Sequence, residues 1–297
     1  MNSSNFTYGV ELEWVDVDRT TPIPSDVATW DMDDATLINS NGIAIDPTMK
    51  SHTLGGEINT KPTTTPEAQG AAVKILKDIL NPSSNYRCNL HVHVGVPGLQ
   101  DDLEAQKQIF RYVRENEQFL YHEMLFRPAP KKEDYEDPAD YKLASKFNRQ
   151  QTLWAKTPIP NDRAERMLNA STTKEFYNHH FYWSEKTQRT VHYLNSCRAG
   201  VNLRTIKKYG TIEFRIFPGS IDPDEVTDAA TFAREFVDAA LNNPTRTAKE
   251  IYESRTWKFP QWQPFEPRLE QGFNETKYVY RTMFLSDDEK KKKDKQS

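Results

Sequence analysis

The chain has few of the features that mark secreted, membrane-bound or nucleic-acid-binding proteins. Its 297 residues include two cysteines, so it holds at most one disulfide, and we expect both to be small buried thiols. No apolar run approaches the roughly 18 residues that span a bilayer. A net charge of −4 gives no general attraction to nucleic acid. Residues 1–5 carry neither a basic residue nor an apolar stretch, so we expect no secretory signal and a cytoplasmic protein.

Three common phosphate-binding or catalytic loops are also missing. The sequence contains no G-x-x-x-x-G-K-[ST] loop, no G-x-G-x-x-G fingerprint and no G-x-S-x-G elbow. A nucleotide would therefore have to bind through metal ions and arginines on a sheet, rather than in a phosphate-binding loop.

What the sequence does contain is five short stretches that read as β-strands with polar pairs on one face. They are residues 9–14, 55–59, 89–95, 200–204 and 211–217. Because side chains alternate along a strand, residues two apart share a face. Acid–acid, His–His and acid–Arg pairs then face one way, whereas apolar residues face the other. A strand wetted only by solvent would show Lys, Thr or Ser instead. The pairs therefore indicate a site for metal ions and anions.

The order of elements predicts an α+β protein. Helices are expected over 67–80, from 101 to about 120 and from 222 to 241, each with apolar residues at helical spacing. Residues 16–54 should be mostly loop, with a short strand near 42–46. Residues 207–210 should form a turn between the last two strands. We expect one catalytic domain over 1–285, built on a curved antiparallel sheet of about six strands with helices on one face. A helical insertion over 127–190 and a disordered charged tail over 286–297 complete the prediction.

The acidic and histidine pairs admit two interpretations each. Glu11 and Glu13 lie about 7 Å apart on one strand face, where they either hold a cation or are simply solvated. Glu57 follows two glycines that would allow close approach of a ligand, or else form an ordinary turn. His91 and His93 are typical of a metal site, and a cupin-like oxygenase centre is one alternative. That alternative is weakened because no acidic residue follows His93 until Asp101.

The last two strands bring opposite charges together. Asn202 and Arg204 are predicted on one strand, and Glu213 and Arg215 on its hairpin partner. They form either a cross-strand salt-bridge network, which contributes little at a surface, or a clamp for phosphate or carboxylate oxygens.

Taken in order, these motifs resemble the amidoligase family of carboxylate–amine ligases, which share the glutamine-synthetase and glutamate–cysteine-ligase fold. The matching segments are G-V-E-L-E at 9–13, G-G-E-I at 55–58, N-L-H-V-H-V-G at 89–95, V-N-L-R at 201–204 and T-I-E-F-R-I-F-P-G at 211–219. Each motif is weak alone, and the five together are specific to the family rather than to a substrate.

The resemblance implies an antiparallel sheet curved around a funnel that holds ATP and two or three Mg²⁺ ions. The residues that it implies as metal ligands are Glu11, Glu13, Glu57, His91 and Glu213. It places Arg215, and with it Arg204, beside the transferred phosphate as catalytic residues together with Glu213. Cofactor contacts are assigned to Arg215, His93 and Asn202. Asp46 matches an acidic position that precedes the G-G-E strand in relatives.

The reaction that the resemblance implies is attack of a substrate carboxylate on the γ-phosphoryl group of ATP, followed by displacement of phosphate by an amine. The partners are small-molecule or peptide acids and amines, with a modified nucleotide still open as a substrate. We expect specificity to lie in the 127–190 insertion, whose polar-aromatic residues are Tyr135, Tyr141, Trp154, His179, His180, Tyr182 and Trp183. The alternatives are a kinase-like enzyme, a metal-dependent hydrolase or oxygenase centred on His91 and His93, and a non-catalytic binding module.

Overall fold

The computed structural model describes residues 2–31, 55–84, 88–120, 124, 161–180, 182–184, 189–191 and 200–257. Eight strands are found in these ranges: β1 (Thr7–Trp14), β2 (Ala28–Asp31), β3 (Gly56–Thr60), β4 (Asn89–Gly95), β5 (Tyr182–Ser184), β6 (Arg189–Val191), β7 (Val201–Asn202) and β8 (Thr211–Pro218). The described α-helices are α1 (Pro66–Leu80), α2 (Leu103–Glu115), α3 (Asn161–Leu168), α4 (Thr173–His180), α5 (Arg204–Tyr209), α6 (Pro223–Asn242) and α7 (Ala248–Glu253). A 3₁₀ turn at Ser3–Asn5 precedes β1.

Six strands form one open sheet in the order β2-β3-β1-β4-β8-β7, and every neighbouring pair is antiparallel. β5 and β6 pair separately. The protein is therefore a mixed helix-and-sheet fold, and the predicted six-stranded antiparallel sheet is confirmed. None of the helices in the described ranges is long and apolar enough to cross a membrane.

The apolar face of the sheet is the one that the helices cover. Along β1 the even-numbered residues Tyr8, Val10, Leu12 and Trp14 are buried, as the alternation predicts. They join a single hydrophobic cluster with α1, α2 and α6, and α6 lies against β4 while α1 packs on α6. The odd-numbered positions of β1 therefore face the other side of the sheet.

The helix ends follow local sequence signals. Thr65 caps α1 through its side chain, Pro66 occupies the first turn, and Asn81 closes the helix in the left-handed conformation. Asp222 caps α6 in the same way and accepts from the backbone N–H groups of Asp224 and Glu225. The expected boundaries of α1 and α6 are thus confirmed to within one or two residues.

The structure differs from the expected strands in two places. Residues 16–54 are expected to be mostly loop with a short strand near 42–46; the structure adds the four-residue strand β2 at Ala28–Asp31, and residues 42–46 lie outside the described residues. The strand expected over 200–204 is only Val201–Asn202, and helix α5 connects it to β8 in place of a turn. Gly210 ends this helix in the left-handed conformation, at φ 69°.

The predicted long helix after residue 101 ends sooner than expected. Helix α2 stops at Glu115, and Asn116 interrupts it before helical backbone resumes at 117–120. Within 161–191 the described residues form α3, α4 and the β5–β6 pair. Cys88 is buried, as expected, whereas Cys197 lies outside the described residues.

Candidate functional site

The polar face of strands β1, β4 and β8 gathers most of the residues singled out in the sequence. The register sets Glu11 opposite His91, and His93 opposite Glu213. Ligand atoms of Glu11, His91 and Glu213 all lie within 4.8 Å of one another. This arrangement forms because each residue lies on the same side of its own strand and the three strands are neighbours.

His91 is the centre of the cluster. Its ring is nearly fully buried, and Nδ1 lies 2.6 Å from Glu11 Oε2 and 3.8 Å from Glu213 Oε1. Since an ionised carboxylate only accepts, Nδ1 donates to Glu11. In the neutral ring the lone pair then belongs to Nε2, which is buried, has no hydrogen-bond partner among the described residues and lies 4.0 Å from Glu13 Oε1. A ring held by a carboxylate on one nitrogen, with a lone pair on the other, is the arrangement seen in metal-ligating histidines.

His93 is fully engaged by protein atoms. Its Nε2 lies 2.9 Å from Glu11 Oε1, and its Nδ1 lies 3.1 Å from the hydroxyl of Thr211. Burial opposes a charge on this ring, but the hydrogen bond to Glu11 and the nearby charges of Glu213 and Glu11 raise the pKa of His93. His93 therefore holds Glu11 in place, and both of its nitrogens are occupied.

Glu213 and Arg215 form a buried ion pair on β8. Arg215 Nη1 donates to Glu213 Oε1, and the side chains are 20% and 5% exposed. Burial alone would raise the pKa of Glu213, but the charges of Arg215, His93 and His91 lower it. Burial likewise opposes the charge on Arg215, and the carboxylates, led by Glu213, raise the pKa of the guanidinium. The Nε of Arg215 is buried and has no hydrogen-bond partner within the described part of the chain.

The ionisation of Glu11 is governed by the two histidines. Burial would raise the pKa of this carboxyl, but hydrogen bonds from His91 and His93, together with their charge, hold it well below its usual range. Glu11 thus stays a carboxylate, which is the form that ligates cations.

A β-bulge next to Arg215 ends the polar face of β8. Leu90 pairs with Phe217 while Val92 pairs with Phe214, so β8 contains one more residue than β4 across this interval. Strict alternation would put residue 217 on the polar face with Glu213 and Arg215. The extra residue instead turns Phe217 into the core, where it is buried. Arg215 is consequently the last site residue on β8.

The remaining predicted residues differ in how close they come to this cluster. Glu57 is buried on β3 and lies directly across from Glu13. Asn202 donates through Nδ2 to Glu213 Oε2 at 2.6 Å. Arg204 was predicted on the strand with Asn202, but it begins helix α5 instead. Its backbone N–H donates to Asn202 Oδ1 at 3.0 Å. Asp46 lies outside the described residues.

The polar-aromatic residues proposed for specificity fall into two groups. Tyr135, Tyr141 and Trp154 lie outside the described residues. The backbone of residues 179 and 180 ends helix α4, and that of residues 182 and 183 lies in β5.

Two site residues were not assigned a role from the sequence. Asn89 donates through both its backbone N–H and its Nδ2 to Glu13 Oε2, at 2.9 and 2.8 Å. Thr211 contacts His93. Each lies two residues before a recognised residue, namely His91 or Glu213. The alternation that identified those residues therefore also contained the signal for Asn89 and Thr211.

The donor set of this face suits a divalent cation bound together with an anion. Three carboxylates, from Glu11, Glu13 and Glu213, surround the imidazole of His91, whose Nε2 bonds to none of the residues that the structure describes, and the guanidinium of Arg215 lies beside them. Carboxylate oxygens are the ligands that Mg²⁺ prefers, and arginine binds phosphate or carboxylate oxygens.

Residues 39–237 match the family model described as "Putative amidoligase enzyme". The matched segment covers two thirds of the chain and includes β3, β4, β7 and β8, whereas β1, with Glu11 and Glu13, precedes it. The chain matches no curated protein and no solved structure.

Proposed function

Because the chain belongs to the amidoligase family, we propose that it is an ATP- and Mg²⁺-dependent ligase that joins a carboxylate to an amine through an acyl phosphate. The observation that carries this proposal is the cluster of Glu11, His91 and Glu213, with Arg215 paired to the last of them. The cluster offers cation ligands and an anion-binding cation on one sheet face. The proposal includes a glutamine-synthetase-like catalytic fold over 1–285, with the 127–190 insertion, and a cytoplasmic location.

The proposed roles combine the resemblance to the amidoligase motifs with the contacts of this face. The metal ligands are Glu11, Glu13, Glu57, His91 and Glu213, and two or three Mg²⁺ ions would neutralise charge on the ATP phosphates. Arg215 would contact the phosphoryl oxygens, since its buried Nε has no acceptor among the described residues. Arg204, at the start of α5, would act at the edge of the same site. The products are an amide, ADP and phosphate.

The hydrogen bonds of His93 favour this ligase over the alternative of a hydrolase or oxygenase centred on both histidines. Both nitrogens of His93 are already engaged, by Glu11 and by Thr211. A metal bound to His91 and His93 together would have to break one of these hydrogen bonds. Binding at His91 Nε2 breaks none.

The direct test is incubation of the full chain with ATP, MgCl₂ and a pool of amino acids, small acids and amines. Mass spectrometry should detect a new amide whose mass is that of acid plus amine minus water, with one ADP formed for each amide. Once the acid is known, labelling its carboxylate with ¹⁸O should deliver one labelled oxygen to the released phosphate. Label found only in the amide would rule out an acyl phosphate.

Variants connect the activity to the site. Glu13→Gln and Arg215→Gln should each lower ADP formation by more than 100-fold, the scale of a lost charge contact in a phosphoryl-transfer site. Glu104→Gln changes a carboxylate on α2 that is 73% exposed, and it should retain activity. Full activity in the two site variants would refute the assignment. Phosphorylated acid without amide would identify the kinase-like alternative, and tightly bound zinc or iron without ATP turnover would identify the hydrolase or oxygenase.

A further inference from the structure

Two asparagines make the same contact on opposite sides of His91. Asn89 Nδ2 donates to Glu13 Oε2 at 2.8 Å, and Asn202 Nδ2 donates to Glu213 Oε2 at 2.6 Å. All four of these residues are buried. The two pairs come from four different strands, so the contact is not the result of one local turn.

Each contact determines which carboxylate oxygen is turned toward the ring. With Oε2 held by an amide, Glu13 presents Oε1 to His91 Nε2 at 4.0 Å, and Glu213 presents Oε1 to His91 Nδ1 at 3.8 Å. Neither separation is a hydrogen bond. The two Oε1 atoms are thus held near the ring without a hydrogen bond to it, and Oε1 of Glu213 also accepts from Arg215.

The orientation of Asn202 is fixed independently of Glu213. Its Oδ1 accepts from the backbone N–H of Arg204 at 3.0 Å, so the amide oxygen is committed to the start of helix α5. The Nδ2 group must then point the other way, toward Glu213. For Asn89, the backbone N–H adds a second donor to the same Glu13 oxygen, at 2.9 Å. Both contacts are therefore preorganised.

The donors are neutral, which matters for a cation site. Lys or Arg in these positions would hold the carboxylates as firmly, but each would cancel one negative charge. Among the described residues, Arg215 is paired with Glu213 and His93 with Glu11, and the two amides add no further positive charge to the three carboxylates Glu11, Glu13 and Glu213. The amides orient the ligands and preserve the negative charge that a divalent ion requires.

We propose that Asn89 and Asn202 are positioning residues that hold Glu13 and Glu213 in the geometry for divalent-cation binding at His91. This inference rests on the proposed function only in taking the cluster to be a metal site. Partners that orient metal ligands typically change metal affinity by 10- to 100-fold when removed.

The test measures metal binding without ATP or substrate. Free Mn²⁺ is followed by electron paramagnetic resonance during titration of the full chain, and bound Co²⁺ by its visible spectrum, which reports coordination geometry. Asn89→Ala and Asn202→Ala should each weaken Mn²⁺ binding about 10- to 100-fold and change the Co²⁺ spectrum. The two variants lie on different strands, so either one tests the inference if the other does not fold.

Asn116→Ala is the matched control. Asn116 is also a buried asparagine with two hydrogen bonds, to the backbone of Tyr112 and Ala248, but it lies in the helical layer. It should lower stability in urea without altering Mn²⁺ affinity or the Co²⁺ spectrum. Equal weakening in the control and the site variants would show a general structural effect and overturn the inference. Wild-type Mn²⁺ affinity in Asn89→Ala and Asn202→Ala would also overturn it and leave the proposed function standing. No Mn²⁺ binding by the wild type would refute both.

Discussion

Replacing Arg215 with methionine should destabilise the metal-free protein by about 3 kcal/mol. Removing one partner of a buried ion pair typically costs about 3–5 kcal/mol, because the other charge remains buried without compensation. Here the remaining charge is Glu213, whose side chain is 5% exposed, and the Arg215 side chain is 20% exposed. Partial exposure of the arginine places the expected cost at the lower end of that range. The hydrogen bond from Asn202 to Glu213 remains and prevents a larger loss.

Urea denaturation at pH 7.5 without divalent ions measures this cost. With a slope of about 3 kcal/mol per molar urea, the midpoint should fall by roughly 1 M. The same change in a Glu213→Gln background should cost about 2 kcal/mol less, because no buried charge is then left behind. Arg111→Met, at an exposed position on α2, should change stability by no more than about 0.5 kcal/mol. A loss below about 1 kcal/mol for Arg215→Met, or no coupling to Glu213, would refute the buried-pair interpretation.

Two further predictions concern the helical layer. Burial raises the pKa of Glu117 to about 7, although Arg114 opposes the shift. The folded state therefore prefers the neutral carboxyl, and the free energy of unfolding falls as pH rises from about 4.5 through 7. In urea titrations, the wild type should lose up to roughly 3 kcal/mol of stability relative to Glu117→Gln between pH 5 and 8. Exposed Glu115→Gln is the control, and a difference that does not change with pH would contradict the prediction. Gly70→Ala should destabilise the protein by about 1–3 kcal/mol, since a Cβ at residue 70 would lie 2.0 Å from Thr227 Oγ1. In a Thr227→Ala background, part of this loss should be recovered. Unchanged stability in Gly70→Ala would contradict the close packing of α1 on α6.

The central part of the sheet was predictable because its strands alternate between apolar and functional residues over most of their length. The polar positions of β1, β4 and β8 identified Glu11, His91 and Glu213, whereas the β-bulge that turns Phe217 into the core depends on pairing between strands. β2 gave no such signal, because it is four residues long and only Ala28 in it is buried. Its existence depends on pairing with β3, which the local sequence does not encode.

The position of Arg204 was mispredicted for a different reason. The residues V-N-L-R continue the alternation of a strand, but the Asn202 side chain accepts from the Arg204 N–H and turns the chain into a helix. The following Lys-Lys-Tyr-Gly, which read as a turn, is the end of that helix. The contact partners of His91 could not be predicted from the local sequence either, since they depend on the register between strands about 80 residues apart.

The placement of the site on interior strands has a consequence for hydrogen exchange. β1, β4 and β8 each have a neighbour on both sides, whereas the edges of the sheet are the short strands β2 and β7. Local fraying of the edges does not expose the amides beneath Glu11, His91 and Glu213, so these amides should exchange only when the whole sheet opens. A ligand bound to this face would then slow exchange throughout the interior strands at once, rather than at the contacted residues alone.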